Sequence, residues 1–291
     1  MNGILIINKP KGITSRDVVN EIVKKLNTKK VGHTGTLDPL ATGVLVVCVG
    51  SATKLVDELT SHDKEYIANV ELGTLTDTID STGKIIYEKE CIKTKEEIVD
   101  VLNSFKGNYL QEVPIYSAIK INGKKLYEYA REGVDIELPK RKVEIKDIEL
   151  VGDIEYKNNK TYFKFKCSVS KGTYIRALIR DIAIRLNTIG IMTDLKRTRL
   201  GKFKIDNAIE LEEISNNNLI DIIDIIDIID CKKIKINNNI EKQINNGAVI
   251  NNIYNSEEVL FIKNNQAIAL YKRYDKDNSK LKPYKMFKGG I

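Results

Sequence analysis

No Cys-x-x-Cys pair occurs in the chain, and its four cysteines, Cys48, Cys91, Cys167 and Cys231, stand far apart. That spacing offers neither a disulfide framework nor a zinc site, so reduced thiols are expected. No stretch approaches the ~18 consecutive apolar residues of a membrane span. The opening MNGILIINKPKG has a short apolar run followed by lysine and proline, unlike a signal peptide. A cytoplasmic protein with no membrane attachment is therefore expected. A Walker loop, a Gly-x-Gly-x-x-Gly turn and any His/Cys cluster are also missing. These absences remove the usual sequence footholds for nucleoside triphosphates, dinucleotides and metals, and the expectation is no cofactor and no metal.

What is present is an uneven distribution of charge. The 47 Lys and Arg against 40 Asp and Glu give a net charge of only +7 on 291 residues. From Lys160 to Lys204, however, there are twelve basic residues against two acidic ones, Asp181 and Asp194, and from Ile205 to Asp230 eight acidic residues against none. A surface for a polyanion beside a stretch kept away from it would produce this segregation, and so would two unrelated solvated faces.

Periodicity alternates between strand and helix. GILII (3 to 7) predicts a short strand, and Val18, Val19, Ile22, Val23 and Leu26 fall on one face of a helix from about Ser15 to Asn27. A strand at Val44 to Val49 and a helix around Ala52 to Leu59 follow, then a half-buried strand in KEYIANVELG. Thr94 with Glu97 forms a capping box ahead of helical spacing at Ile98, Val101, Leu102 and Phe105. RKVEIKDIEL and TYFKFKCSV read as strands, the second with Phe163, Phe165, Cys167 and Val169 on one face, and Thr173 is placed to cap a helix through about Leu186. Without a regular β-α-β repeat this is α+β, with a mixed, largely antiparallel sheet. Asn-rich pieces around LIDIIDIIDIID mark a boundary, giving a large domain over 1–230 and a small β domain over 231–291 with a strand pair around Asn264-Asn265. The Asp repeat itself reads as a local helix or strand without a function.

The residues most suggestive of chemistry lie in VGHTGTLDPLATGVL, which places a lone carboxylate, Asp38, and one of the chain's two histidines, His33, in a glycine-rich loop. Taken alone, Asp before Pro is a common turn element, and Gly35 and Gly43 suit tight backbone geometry.

The string GTLDPLATG nevertheless resembles the catalytic loop of the tRNA pseudouridine synthase B family. The resemblance continues through NKPKGITS (8 to 15), ATK (52 to 54), DKEY (63 to 66), LGTLTDTIDSTG (72 to 83), VPIYSAIKINGKKLYEYAREG (113 to 133) and CSVSKGTYIRALIRDI (167 to 182). It implies a pseudouridine synthase catalytic domain followed by a small RNA-binding PUA-like domain, and an isomerase that converts uridine 55 in the tRNA T-loop to pseudouridine. It implies Asp38 as the catalytic carboxylate, attacking C1′ or starting ribose deprotonation, and Arg176 as its partner, since an adjacent guanidinium favours the ionised acid. It implies Tyr66 stacked on the target base, Tyr174 and Leu195 as further pocket residues, and His33 among bases displaced when the uridine flips out. Lys9 and Pro10 are implied as supports of the catalytic loop. The partner is the tRNA T-arm, and the chain is expected to act as a monomer. Asn8 departs from the Asp of many relatives, and the match blurs after Gly201. Two other readings remain open at this point. One is a non-catalytic RNA-binding protein, which would need none of Asp38, Tyr66 and Arg176 together. The other is a nucleoside hydrolase with a carboxylate pair, for which Asp77 and Asp80 lie in the separate TDTID stretch.

Overall fold

The structure is a computed structural model that describes residues 2–219, 231–264 and 266–287. The Asp repeat over 220–230 and one residue of the Asn264-Asn265 turn lie outside the described residues.

Strand β1 (Gly3–Lys9) leads into helix α1 (Ser15–Lys25), where Thr14 and Asp17 cap each other's backbone N–H groups. The helix stops two residues before the expected end, and Asn27 follows with φ of 45° in the left-handed region. Strands β2 (Val31–His33) and β3 (Thr42–Val49) flank the Asp38 loop. The helix expected around Ala52 begins as a 3-10 turn, Gly50–Leu55, and continues as α2 (Val56–Ser61). Strand β4 (Lys64–Leu72) alternates as expected, burying Lys64, Tyr66, Ala68, Val70 and Leu72. A hairpin of β5 (Thr74–Thr76) and β6 (Ile85–Glu88) precedes α3 (Lys95–Asn103), which carries the Thr94–Glu97 capping box. Then come β7 (Gly107–Glu112), the short ribbon β8 (Lys120–Ile121) and β9 (Lys124–Lys125), and α4 (Leu126–Glu132). The core is completed by β10 (Lys140–Leu150), β11 (Glu155–Lys157), β12 (Lys160–Val169), α5 (Ile175–Arg185), β13 (Gly190–Leu200) and β14 (Phe203–Lys204).

These strands form one sheet with the order β1-β3-β13-β4-β12-β10-β7. Along that path every pairing is antiparallel except β3 with β13, which run parallel through Lys196–Thr42 and Arg197–Gly43. The mixed, largely antiparallel α+β architecture is as the sequence implies. Helices α1, α3 and α5 cover one face, packing Val18, Ile22, Ile98, Leu102, Leu178 and Ile182 against Leu5, Leu45, Ala68 and Phe165. One local expectation fails. Thr173 does not cap α5, because its hydroxyl donates to Ser170 O at 3.0 Å. Tyr174 occupies the N-cap position without a side-chain cap bond. Its N–H instead donates to Gln111 Oε1 at 2.8 Å, so a distant strand satisfies this helix end.

The C-terminal part forms a second sheet from β15 (Lys232–Lys235), β16 (Ile250–Asn251), β17 (Glu258–Lys263), β18 (Gln266–Tyr274) and β19 (Asp277–Met286), in the order β15-β17-β18-β19-β16, with α6 (Asn238–Asn245) beside it. It shares a core with the first sheet. On the opposite face Ile4, Ile6, Val44, Val46 and Cys48 pack with Leu55 and Leu59 of the 3-10 turn and α2 and with Leu260, Ala267, Leu270 and Phe287. Truncating Leu260 should therefore weaken the whole molecule. We expect Leu260→Ala to cost about 2–5 kcal/mol and to lower a single cooperative melting transition. Two resolved transitions, only one of them shifted, would show that the sheets unfold separately. Among the described residues no helix is long and apolar enough to cross a membrane.

Candidate active site

The loop between β2 and β3 is held from two sides. On one side, Lys9 is fully buried and its ammonium donates to Ile13 O at 2.7 Å, Pro10 O at 2.9 Å and Pro39 O at 3.5 Å. Gly12 N–H also donates to Pro39 O at 2.8 Å, and Ser15 Oγ accepts from Leu37 N–H at 2.9 Å. NKPKGITS is thus a bracket for the Asp38 loop. Pro10 contributes a carbonyl to it while its ring is exposed. Burial lowers the Lys9 ammonium to about 8, although Asp38 pulls in the opposite direction. On the other side stands Arg197, 1% exposed, whose Nε donates to Val44 O at 2.7 Å and Nη2 to Gly35 O at 3.2 Å. Gly43 has φ of +96°, and a Cβ there would lie 2.3 Å from Arg197 O. Glycine alone fits this approach of β3 to β13.

The bracketed loop presents Asp38 to the first turn of α5. Arg176 Nε donates to Asp38 Oδ2 at 2.9 Å, while Nη1 and Nη2 donate to Thr78 O and Tyr116 O, each at 3.0 Å. One guanidinium therefore ties together the Asp38 loop, the β5–β6 hairpin turn and the segment after β7. The Arg176 side chain is 8% exposed and that of Asp38 37% exposed, so the cation is sequestered and the carboxylate faces a cleft. Among the described residues, Asp38 Oδ1 has no hydrogen bond.

The cleft has a volume of about 480 Å³, and Asp38, Tyr66, Tyr174, Arg176 and Leu195 all line it. Tyr66 reaches it from β4 and Leu195 from β13, at diagonal positions of paired strands, Tyr66 lying opposite Arg197 and Leu195 opposite Ala68. Both are nearly buried, at 6% and 5% exposure. Burial pushes the Tyr174 phenol upward. His33 is not among the residues lining the cleft. It sits half-buried in β2, its Nδ1 lacks a partner, and burial, Arg16 and Arg197 lower its pKa.

Four contributors escaped the sequence reading. Lys64 and Arg197 line the cleft as nearly buried cations. Gln111, 1% exposed, holds both backbone groups of Tyr174, accepting from its N–H and donating to its carbonyl at 3.1 Å. Asp80, read as belonging to a separate stretch, lies 3.9 Å from Arg176 Nε because the β5–β6 turn folds back over α5. Its Oδ1 accepts from Thr78 Oγ1, Thr82 N and Thr82 Oγ1 at 2.8, 3.0 and 2.6 Å, and it does not line the cleft.

Asp38, held by Arg176, thus stands on the wall of a cleft flanked by an aromatic ring and an apolar wall. Residues 23–175 match the family model of the TruB family pseudouridylate synthase N-terminal domain. The tRNA pseudouridine synthase B of Clostridium tetani is 44% identical over 253 residues, covering 86% of each chain. That of Bacillus pumilus is 39% identical over 301 residues, covering 98% of this chain and 97% of its own. A chain in the crystal structure of a Cbf5-Nop10-Gar1 complex is similar at TM-score 0.72 and 25% identity, over 98% of this chain and 84% of that one. The chain belongs to the TruB family of pseudouridylate synthases.

Proposed function

We propose that the chain converts uridine 55 in the T-loop of tRNA to pseudouridine, with Asp38 acting at the ribose of the flipped-out nucleotide. The observation that carries this reading is the Asp38 carboxylate itself: one oxygen is held by Arg176 at 2.9 Å and the group faces the cleft. The N1–C1′ bond breaks, uracil turns, C5 bonds to C1′, and the hydrogen on C5 is replaced while N1 gains one, so the product is an isomer. An anion beside C1′ serves either attack on the sugar or removal of a ribose proton. Arg176 orients that anion, and Tyr66 and Leu195 supply a ring and an apolar wall for the turning base. His33, outside the cleft, is assigned to the displaced neighbours of the target.

The hydrolase reading needs a second free carboxylate to handle water. Asp80, the nearest to Arg176, is committed to Thr78 and Thr82, which disfavours it. For tRNA as the substrate, the support comes from the relatives named tRNA pseudouridine synthase B. The reading takes the protein as a cytoplasmic monomer that grips the T-arm. It divides the chain into a catalytic domain over 1–230 and a PUA-like RNA-binding domain over 231–291, the latter carrying twelve basic against five acidic residues.

Incubation with an unmodified tRNA transcript, followed by nuclease digestion and position-specific detection, should reveal pseudouridine at position 55. A transcript with cytidine at that position should yield none. Unconverted uridine 55 in the first transcript, or conversion elsewhere, would refute the assignment.

A further inference from the structure

Beside Asp38 the cleft contains two nearly buried cations without an anion. Lys64 is 7% exposed and Arg197 1% exposed. Lys64 Nζ donates to Thr60 O at 2.9 Å and His62 O at 2.7 Å, which uses two of its three protons. Arg197 uses Nε and Nη2 on carbonyls, and among the described residues its Nη1 has no partner. Both side chains converge over Gly35. The point a Cβ would occupy there is 3.9 Å from Arg197 Nη1 and 3.9 Å from Lys64 Cε, and all three residues line the cleft. Neither cation forms an ion pair among the described residues. Asp63, next to Lys64 in sequence, is engaged by Lys146, and Asp38 is engaged by Arg176.

Two like charges held together out of water are unfavourable unless an anion joins them. Burial, with Arg197 and Lys171 adding like charge, lowers the Lys64 ammonium to about 8. The carbonyls around the pair orient it, and the glycine leaves open the space in front of it. Gly35 lies three residues before Asp38 on the same loop. An anion seated over it would share the cleft with a ribose held at Asp38.

We infer that Lys64, Arg197 and the open face of Gly35 form a binding subsite for a phosphodiester flanking the target uridine. The inference rests on the proposed action on RNA and assigns part of that same cleft. Seating this phosphate would fix the sugar against Asp38 while the base is turned, and would neutralise the cation pair. The contact is charge-assisted and sheltered from water, so its loss should weaken RNA binding about tenfold.

The test pairs a protein variant with a change in the RNA. Affinity for T-arm hairpins is measured for wild type, Lys64→Met and Lys64→Arg, with a neutral methylphosphonate replacing each phosphodiester in turn around the target. At one flanking position, neutralisation should weaken wild-type binding about tenfold and weaken Lys64→Met binding markedly less, since only Arg197 then remains to feel the charge. Lys64→Arg should retain the sensitivity. Equal penalties for wild type and Lys64→Met at every position would overturn the subsite, as would a wild-type protein indifferent to all the neutral linkages. The latter needs no variant to fold. Pseudouridine formation by wild type on the unmodified hairpin, scored alongside, separates failure of the subsite from failure of the functional reading.

Discussion

Asp38→Asn is expected to form no detectable pseudouridine while binding tRNA as tightly as wild type. The replacement keeps the shape of the side chain, and the amide oxygen can still accept from Arg176 Nε, which now donates at 2.9 Å. The other Arg176 bonds, to Thr78 O and Tyr116 O, do not involve residue 38. Melting should therefore change little. Only the anion facing the cleft is lost, and on the proposed mechanism removing a group of that kind lowers turnover on the order of 10⁴–10⁶-fold. Single-turnover conversion at saturating tRNA separates this from a binding defect. Conversion within tenfold of wild type would show that Asp38 is a turn residue, which is what its Asp-Pro context alone suggests.

Arg176→Lys should lose both activity and stability. The guanidinium bonds three separate segments through three nitrogens, and an ammonium on a shorter fork cannot reach all three at once. Leaving two of these acceptors without their donor should cost about 2–5 kcal/mol, read as a lowered midpoint in urea with an unchanged slope. The Asp38 carboxylate would no longer be fixed, and a displacement of about 1 Å at the reacting group is worth about 10²-fold in rate. The loss should fall on turnover at saturating tRNA, with affinity largely retained. Normal turnover in a variant that still melts cooperatively would show that the ion pair does not position Asp38.

Much of the fold was legible because local signals agree with the global structure. The Thr94–Glu97 box does cap α3, and the alternation in KEYIANVELG does become a half-buried strand. Phe163, Phe165, Cys167 and Val169 share the buried face of β12. The Asp38 loop was visible as motif, and Arg176, Tyr66, Tyr174 and Leu195 meet around its cleft. What stayed hidden depends on contacts between distant segments. Arg197 looks like a surface cation in a basic stretch and Lys64 like one between two acids, because nothing local says that their strands bury them. Gln111 is one polar residue in an edge strand until Tyr174 is brought 63 positions back to it. Asp80 joined Arg176 only through the fold of a turn. The shared seam between the sheets left a trace that could have been used: GILII and GVLVVCV are continuous apolar runs, the pattern of strands covered on both faces. The C-terminal sheet, together with α2, covers the face opposite α1, α3 and α5.

The central claim is that Asp38 drives an isomerisation in which uracil leaves C1′ through N1 and returns through C5. Transcripts carrying tritium at C5 of uridine test it most directly, because only the return through C5 expels that atom to water. Wild type should release the tritium of one uridine per tRNA with no free uracil, and Asp38→Asn should release none. Free uracil, or tritium release that survives the substitution, would contradict the account.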